Sequence, residues 1–124
     1  MVMVLEESMV QEIARLGQSA YPNEACGLLL PSPVRGQQVI QLPNRSKEPA
    51  DSVEIDDEDL ILQLEAVYGE RIPADAVNEI TIWHTHPGGN IGPSKYDLQN
   101  KPKVFKFLVV TLFQDDRPPV PTWF

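Results

Sequence analysis

The feature that most limits how this chain can fold is W-H-T-H-P over residues 83–87, which holds both histidines of the protein two residues apart. On an extended strand, residues i and i+2 point to one face. His84 and His86 therefore present two imidazoles side by side, while Trp83 and Thr85 turn the other way. Glu79 to His86 reads as a central strand with Ile80 and Ile82 on the histidine face. An apolar strand thus delivers its last two same-face residues into a polar site, where open α/β sheets bind ligands beyond strand C-termini. Pro87 stops the strand because it has no N–H for a ladder. Gly88, Gly89, Asn90, Gly92 and Pro93 make a tight, irregular loop. Ser94 is the N-cap candidate of a short helix running to about Lys101, cut by Pro102, with Asp97 in its first turn.

Two readings compete for Ser94 and Asp97. Ser-x-x-Asp before a helix is a capping pattern that many soluble helices carry. Two imidazoles and a carboxylate, with one position left for water, are also what a catalytic zinc site needs. A carboxylate bound to zinc is expected not to reach back to the Ser94 N–H, and the adjacent histidine pair favours the metal reading. A two-His-one-carboxylate set also suits iron. Here the carboxylate follows His86 by eleven residues on a helix, in an α/β pattern, which favours a hydrolase over an oxygenase. G-G-N-I-G-P lacks the Lys-Ser/Thr of a phosphate-binding loop.

The remainder of the chain supplies the scaffold. Residues 5–19 read as a helix, with Met9, Val10, Ile13 and Leu16 on one face and Gly17 and Pro22 ending it. Cys26 to Leu30 is a buried strand, closed by Pro31 and Pro33. Glu24 sits just before it, in local context an ordinary turn carboxylate. Gln37 to Leu42 reads as a second strand, paired with the first across a turn at Arg35 and Gly36. Pro43 to Pro49 is loop, in which Asn44 bonds nearby backbone. Val53 to Ile55 is a candidate third strand. Asp56 caps a helix over 57–68, with Leu60, Leu64 and Val67 on one face joined by Ile61 and Tyr68, and Gly69 at its end. Residues 70–78 read as loop. Val104 to Phe113 is a buried strand, and Val120 to Phe124 an edge strand in which Pro121 is tolerable.

The 124 residues suffice for one domain with one core. A net charge of −8 argues against nucleic acid and against anionic membrane surfaces as partners. The acid excess between Glu48 and Glu70 fits a solvated helix face. Cys26, the one cysteine, rules out an internal disulfide and lies in an apolar run that suits an inert core thiol. Without a leader pattern or a run of roughly 20 apolar residues, the expected setting is soluble and cytoplasmic.

His84-x-His86, seven residues, then Ser94-x-x-Asp97 resembles the motif of the JAMM (MPN+) metalloprotease family. P-N-E-A-C-G-L-L-L places Glu24 in the context of that family's upstream glutamate. Leu42 to Asp56 resembles its second strand and following loop, so the similarity covers roughly residues 5 to 113. The resemblance implies one α/β domain over residues 1–124, a mixed β-sheet flanked by helices with cytidine-deaminase-like architecture. It implies Zn2+ held by His84, His86 and Asp97, Glu24 as general base, and Ser94 holding the oxyanion. The implied activity is hydrolysis of a peptide or isopeptide bond by a metal-activated water. Only 27 residues follow Asp97, so the insertions that cradle ubiquitin are not expected. Compact members resemble isopeptidases acting on ubiquitin-like proteins and the peptidase domain of phage tail-assembly proteins, which would allow association with a virion. The alternative, from another class, is a non-catalytic MPN-type scaffold or tail-assembly component that retains its metal site.

Overall fold

A computed structural model describes residues 6–30, 37–72, 74, 79–100 and 105–124. Its elements run α1 (Glu7–Ala20), β1 (Cys26–Leu30), β2 (Gln38–Leu42), α2 (Asp57–Tyr68), β3 (Thr81–His86), α3 (Lys95–Asn100), β4 (Lys106–Thr111) and β5 (Val120–Trp123). The five strands form one mixed sheet in the order β2-β1-β3-β4-β5. β3 and β4 are parallel, and every other pair is antiparallel. This is the α/β class expected, with the histidine strand at its centre. Pro121 lies on edge strand β5, where its missing N–H costs no ladder bond.

Strand alternation divides the core between the two faces of the sheet. On one face Val10 and Ile13 of α1 meet Leu29, Trp83, Leu108 and Val110. On the other, Cys26, Leu28, Ile80, Ile82 and Phe107 meet Leu64 of α2, with Leu60 and Tyr68 packed beside it. Ile80, Ile82, His84 and His86 follow one another along this second face of β3. Each fully buried Ile or Leu contributes roughly 1.5–3 kcal/mol.

Two glycines set how closely the layers approach. Gly17 does not end α1: the helix continues to Ala20, and Gly17 is buried inside it. A Cβ there would lie 2.6 Å from Leu112 Cδ1 and 2.7 Å from Thr85 Cγ2. The helix accepts a residue that costs about 1 kcal/mol in its interior because the sheet passes too near for a side chain. Gly27 is tighter still. A Cβ there would collide with the Ile40 carbonyl oxygen and lie 2.7 Å from Cζ2 of Trp83. The Trp83 ring fills that space, and its Nε1–H donates to Leu28 O at 3.1 Å.

Other expectations need correction. Val53 to Ile55 is not a strand: it joins no ladder. Its neighbours are held instead by Glu54 N–H donating to Asn44 Oδ1 at 3.1 Å and Arg45 N–H donating to Glu54 O at 2.8 Å. On α2 the buried stripe is narrower than the apolar spacing implies. Ile61 and Val67 are exposed, because the helix meets the sheet only along Leu60, Leu64 and Tyr68. Asp56 occupies the N-cap position, yet its side chain makes no capping bond. The turn at Arg35 and Gly36, most of the 70–78 loop, and the end of the third helix at Lys101 and Pro102 lie outside the described residues.

Gly27→Ala is expected to cost more than the roughly 1–3 kcal/mol of ordinary overpacking, since a backbone carbonyl blocks the new methyl. Gly17→Ala meets only side-chain atoms and should fall within that range. Urea-unfolding midpoints of the two variants measure the difference.

Candidate metal centre

The site is assembled by the register between β1 and β3. Cys26 lies opposite His84 and Gly27 opposite Trp83. The ladder continues one step beyond β1: Thr85 N–H donates to Ala25 O at 3.0 Å, and Ala25 N–H donates to Thr85 Oγ1 at 2.9 Å. The same register carries Glu24 to the level of His86. Glu24 shares the face of Cys26 and Leu28, which is the histidine face.

His84 and His86 emerge there as expected, both buried. Their Nε2 atoms are 3.2 Å apart, and Asp97 Oδ2 lies 3.1 Å from each. Glu24, from the far end of the chain, is only 7% exposed. Its ligand-capable oxygen lies with one nitrogen from each histidine, all within 4.8 Å of one another. Glu24 Oε1 is buried without a hydrogen-bond partner among the described residues. Two three-residue sets therefore share the histidines. Asp97 makes the closer one; Glu24 stands slightly back with an unsatisfied oxygen.

The chemistry of the triangle calls for a cation at its centre. His86 Nδ1 lies 3.1 Å from the Asn90 carbonyl oxygen, which can only accept. Nδ1 therefore carries the hydrogen, and in the neutral ring Nε2 offers a bare lone pair. That lone pair faces a carboxylate oxygen and a second imidazole nitrogen. Tetrahedral zinc with Zn–N bonds of about 2.0–2.1 Å holds its ligands about 3.3 Å apart. The 3.1–3.2 Å edges of the triangle fit that spacing. The donor set, two imidazoles and one carboxylate, suits zinc equally well.

The titration of the site follows the same logic. Burial acts most strongly on Asp97 and would raise it. The His84 and His86 imidazoles, where they carry a hydrogen toward it, and the Ser94 N–H overcome that and hold it far below the carboxylate range. For His86 burial again opposes charge, but the Asp97 carboxylate, the Asn90 carbonyl and Glu24 together raise it. Glu24 is pushed up to about 7, chiefly by burial; His86 pulls it down, and Asp97 and Asp51 add to the rise. Cys26, behind His84, is driven by burial to about 12 and remains a core thiol.

The expected competition between capping and ligation does not arise. Asp97 N–H donates to Ser94 Oγ at 3.1 Å, and Ser94 N–H donates to Asp97 Oδ2 at 2.8 Å. The capping box is complete, and the oxygen it uses is the one facing both histidines. A carboxylate oxygen has lone pairs for both tasks, so the cap aims the ligand. Ser94 Oγ accepts in this box and keeps its own hydrogen to donate.

Thr111 plays a part that its sequence context does not announce. It is fully buried, and its Oγ1–H donates at 3.1 Å to the same Asn90 carbonyl that takes the His86 Nδ1–H. Thr111 lies opposite His86 in the parallel β3–β4 pairing. No local pattern marks it; only the strand pairing does.

A cleft of about 560 Å³ opens beside the triangle, with His84 and Asp97 in its wall. Ile82, Phe107 and Phe124 give it apolar surface, and the Val53–Ile55 segment forms another part of its lining. The Phe124 ring meets the His84 imidazole edge to face, with centroids 5.9 Å apart. A separate hollow of about 400 Å³ around Arg45, Ile55 and Asp57 contains no histidine.

A family profile described as prokaryotic homologs of the JAB domain matches residues 6–123. No curated protein matches the chain. The solution structure of a protein from Salinibacter ruber is similar with a TM-score of 0.57 at 23% identity, covering 98% of this chain and 80% of that one. That likeness is one of fold.

Two outcomes follow from the geometry. Thr111→Val removes the hydroxyl that steadies the Asn90 carbonyl and should weaken zinc binding about 10–100-fold, the usual effect of an outer hydrogen-bond partner; competition with a chelating dye measures it. Glu24→Gln should stabilise the metal-stripped protein. Burial raises the folded-state pKa from an ordinary 4.5 to about 7, so the penalty of the acid grows between those values and is complete above the higher one. The melting-temperature advantage of the amide should therefore be largest near pH 8 and shrink towards pH 5.

Proposed function

The chain belongs to the Prok-JAB family, the prokaryotic homologs of the JAB domain, and from that premise we propose that it is a zinc-dependent hydrolase of a peptide or isopeptide bond. The observation that carries this reading is Glu24 Oε1. This buried carboxylate oxygen has no hydrogen-bond partner among the described residues, and a carboxylate oxygen of Glu24 lies within 4.8 Å of a ring nitrogen of each histidine. A purely structural zinc site is closed by its ligands and has no use for a second, unsatisfied carboxylate beside it.

His84, His86 and Asp97 are the residues that would hold the ion. When bound, zinc supplies Lewis acidity, bringing a water to a pKa of about 7 and polarising a carbonyl. The protein's own groups then account for proton transfer and positioning. Glu24 Oε1, poised near neutrality by burial, takes a proton from the attacking water and returns it to the leaving nitrogen. The Ser94 hydroxyl, its lone pair engaged by Asp97 N–H, directs its hydrogen at the carbonyl oxygen as negative charge develops. The cleft beside His84 and Asp97 takes the substrate chain, its apolar surface excluding water.

The substrate we propose is a protein or peptide, with a ubiquitin-like protein and a phage tail component as the two settings that compact relatives suggest. Either would be met in the cytoplasm or on a virion. Among the described residues no helix is long and apolar enough to cross a membrane.

Three variants test the assignment on one purified protein. His86→Ala should lose both zinc, by elemental analysis, and hydrolysis of a peptide and isopeptide panel. Glu24→Gln should keep its zinc and lose about 10²–10⁴-fold in rate. Ser94→Ala should lose about 10²–10³-fold. A wild-type protein that binds zinc but cleaves nothing in the panel would favour the scaffold role, and a fully active Glu24→Gln would remove the proton shuttle.

A further inference from the structure

Asn44 lies in the loop after β2, and its side chain reaches well beyond that loop. Its Nδ2 donates to Glu24 O at 3.0 Å and to Ser52 O at 2.9 Å, with Pro49 O a longer third contact at 3.5 Å. Its Oδ1 accepts from Ser46 N–H and from Glu54 N–H, both at 3.1 Å. The orientation of the amide follows from its neighbours: carbonyl oxygens surround the nitrogen, and N–H groups face the oxygen. The hydrogen-bonding capacity of the amide is fully used. A return bond closes the arrangement, Glu24 N–H donating to Pro49 O at 2.7 Å.

The groups gathered this way have different tasks. Glu24 carries the unsatisfied oxygen of the metal centre. Glu54 lies between Val53 and Ile55 in the lining of the cleft. That lining belongs to no sheet ladder, so ordinary strand pairing does not hold it. Val53 and Ile55 pack against the core cluster that includes Cys26 and Ile82, and the Asn44 amide hydrogen-bonds both this lining and the backbone of Glu24.

We infer that Asn44 is a positioning residue, holding the backbone of Glu24 and the Val53–Ile55 wall of the cleft in one frame. This rests on the hydrolase reading only for the use made of the two parts. An amide that bonds both fixes the distance between the group that moves the proton and the surface that seats the substrate. Displacements of about 1 Å at such a distance cost roughly 100-fold in rate.

The test has a structural arm and a kinetic arm. In wild-type protein, amide hydrogen exchange at Glu24, Ser46 and Glu54 should report one cooperative opening, with protection equal within about tenfold. Exchange at Glu54 more than about 100-fold faster than at Glu24 would show that no common frame exists and would overturn the inference. In the kinetic arm, Asn44→Ala should keep its zinc while kcat falls and KM rises, by about 10–100-fold in kcat/KM together. Asn44→Asp keeps the acceptor for Glu54 and loses the donor to Glu24, so its loss should fall on kcat and spare KM. Wild-type values of both constants in both variants would overturn the inference. A wild-type protein without hydrolytic activity would sink the hydrolase reading alone, and the exchange comparison would still decide for or against the frame.

Discussion

The site depends on the register between β1 and β3. These strands run antiparallel with Cys26 against His84, and the pairing continues through Ala25 and Thr85 to bring Glu24 level with His86. Because side chains alternate with a period of two, a slip of one residue would turn Glu24 to the opposite face from the histidines. The slip is resisted from the other side of the sheet. The Trp83 ring lies over the open space at Gly27, and the Ile40 carbonyl leaves that position room for no side chain. The packing that fixes Trp83 under α1 therefore also fixes where an acid sixty residues upstream meets two imidazoles. Core packing on one face sets the geometry of chemistry on the other.

The histidine face gathers polar groups whose arrangement suits a cation. Asp97 is held ionised, His86 is drawn toward protonation, and Glu24 Oε1 finds no hydrogen-bond partner among the described residues. A positive charge within the triangle would suit both carboxylates. Backbone groups then decide which atoms face inward. The Asn90 carbonyl selects the tautomer of His86, and Thr111 steadies that carbonyl. The Ser94–Asp97 capping box turns one carboxylate oxygen toward both rings. A capping pattern and a ligand pattern are here the same atoms, which is why the two could not be ranked from spacing alone.

Much of this was legible before any coordinates. Ile80 and Ile82, on the same face as His84 and His86, mark the strand that ends at His86. The pairing of Cys26–Leu30 with the following strand is readable from an apolar run, a turn and a weakly alternating segment, and α2 from its acidic first turn and closing Gly69. What escaped depends on contacts between distant segments. Gly17 looks like a helix end by propensity, yet it is the point of closest approach between α1 and the sheet. Ile61 and Val67 have core spacing, but of the apolar positions on α2 only Leu60, Leu64 and Tyr68 reach the core. Val53 to Ile55 has β-branched ends, yet its Glu54 N–H is taken by the Asn44 side chain and not by a strand. Thr111 and the wider reach of Asn44 leave no periodic trace, because each acts through a single hydrogen bond or cluster fixed by tertiary structure.

Such an arrangement has a thermodynamic consequence for the whole domain. A buried carboxylate raised to about 7, whose Oε1 finds no hydrogen-bond partner among the described residues, opposes folding in the absence of a cation. The favourable balance comes from elsewhere: the apolar layer under α1, the layer under α2, and the ladders through β3. The strand whose end faces Glu24, β3, is flanked on both sides and buried along its whole length. Gathering Glu24 and the two histidines at the end of the central strand lets the surrounding sheet absorb that cost. It also keeps them still, and proton transfer between fixed atoms requires that more than it requires stability.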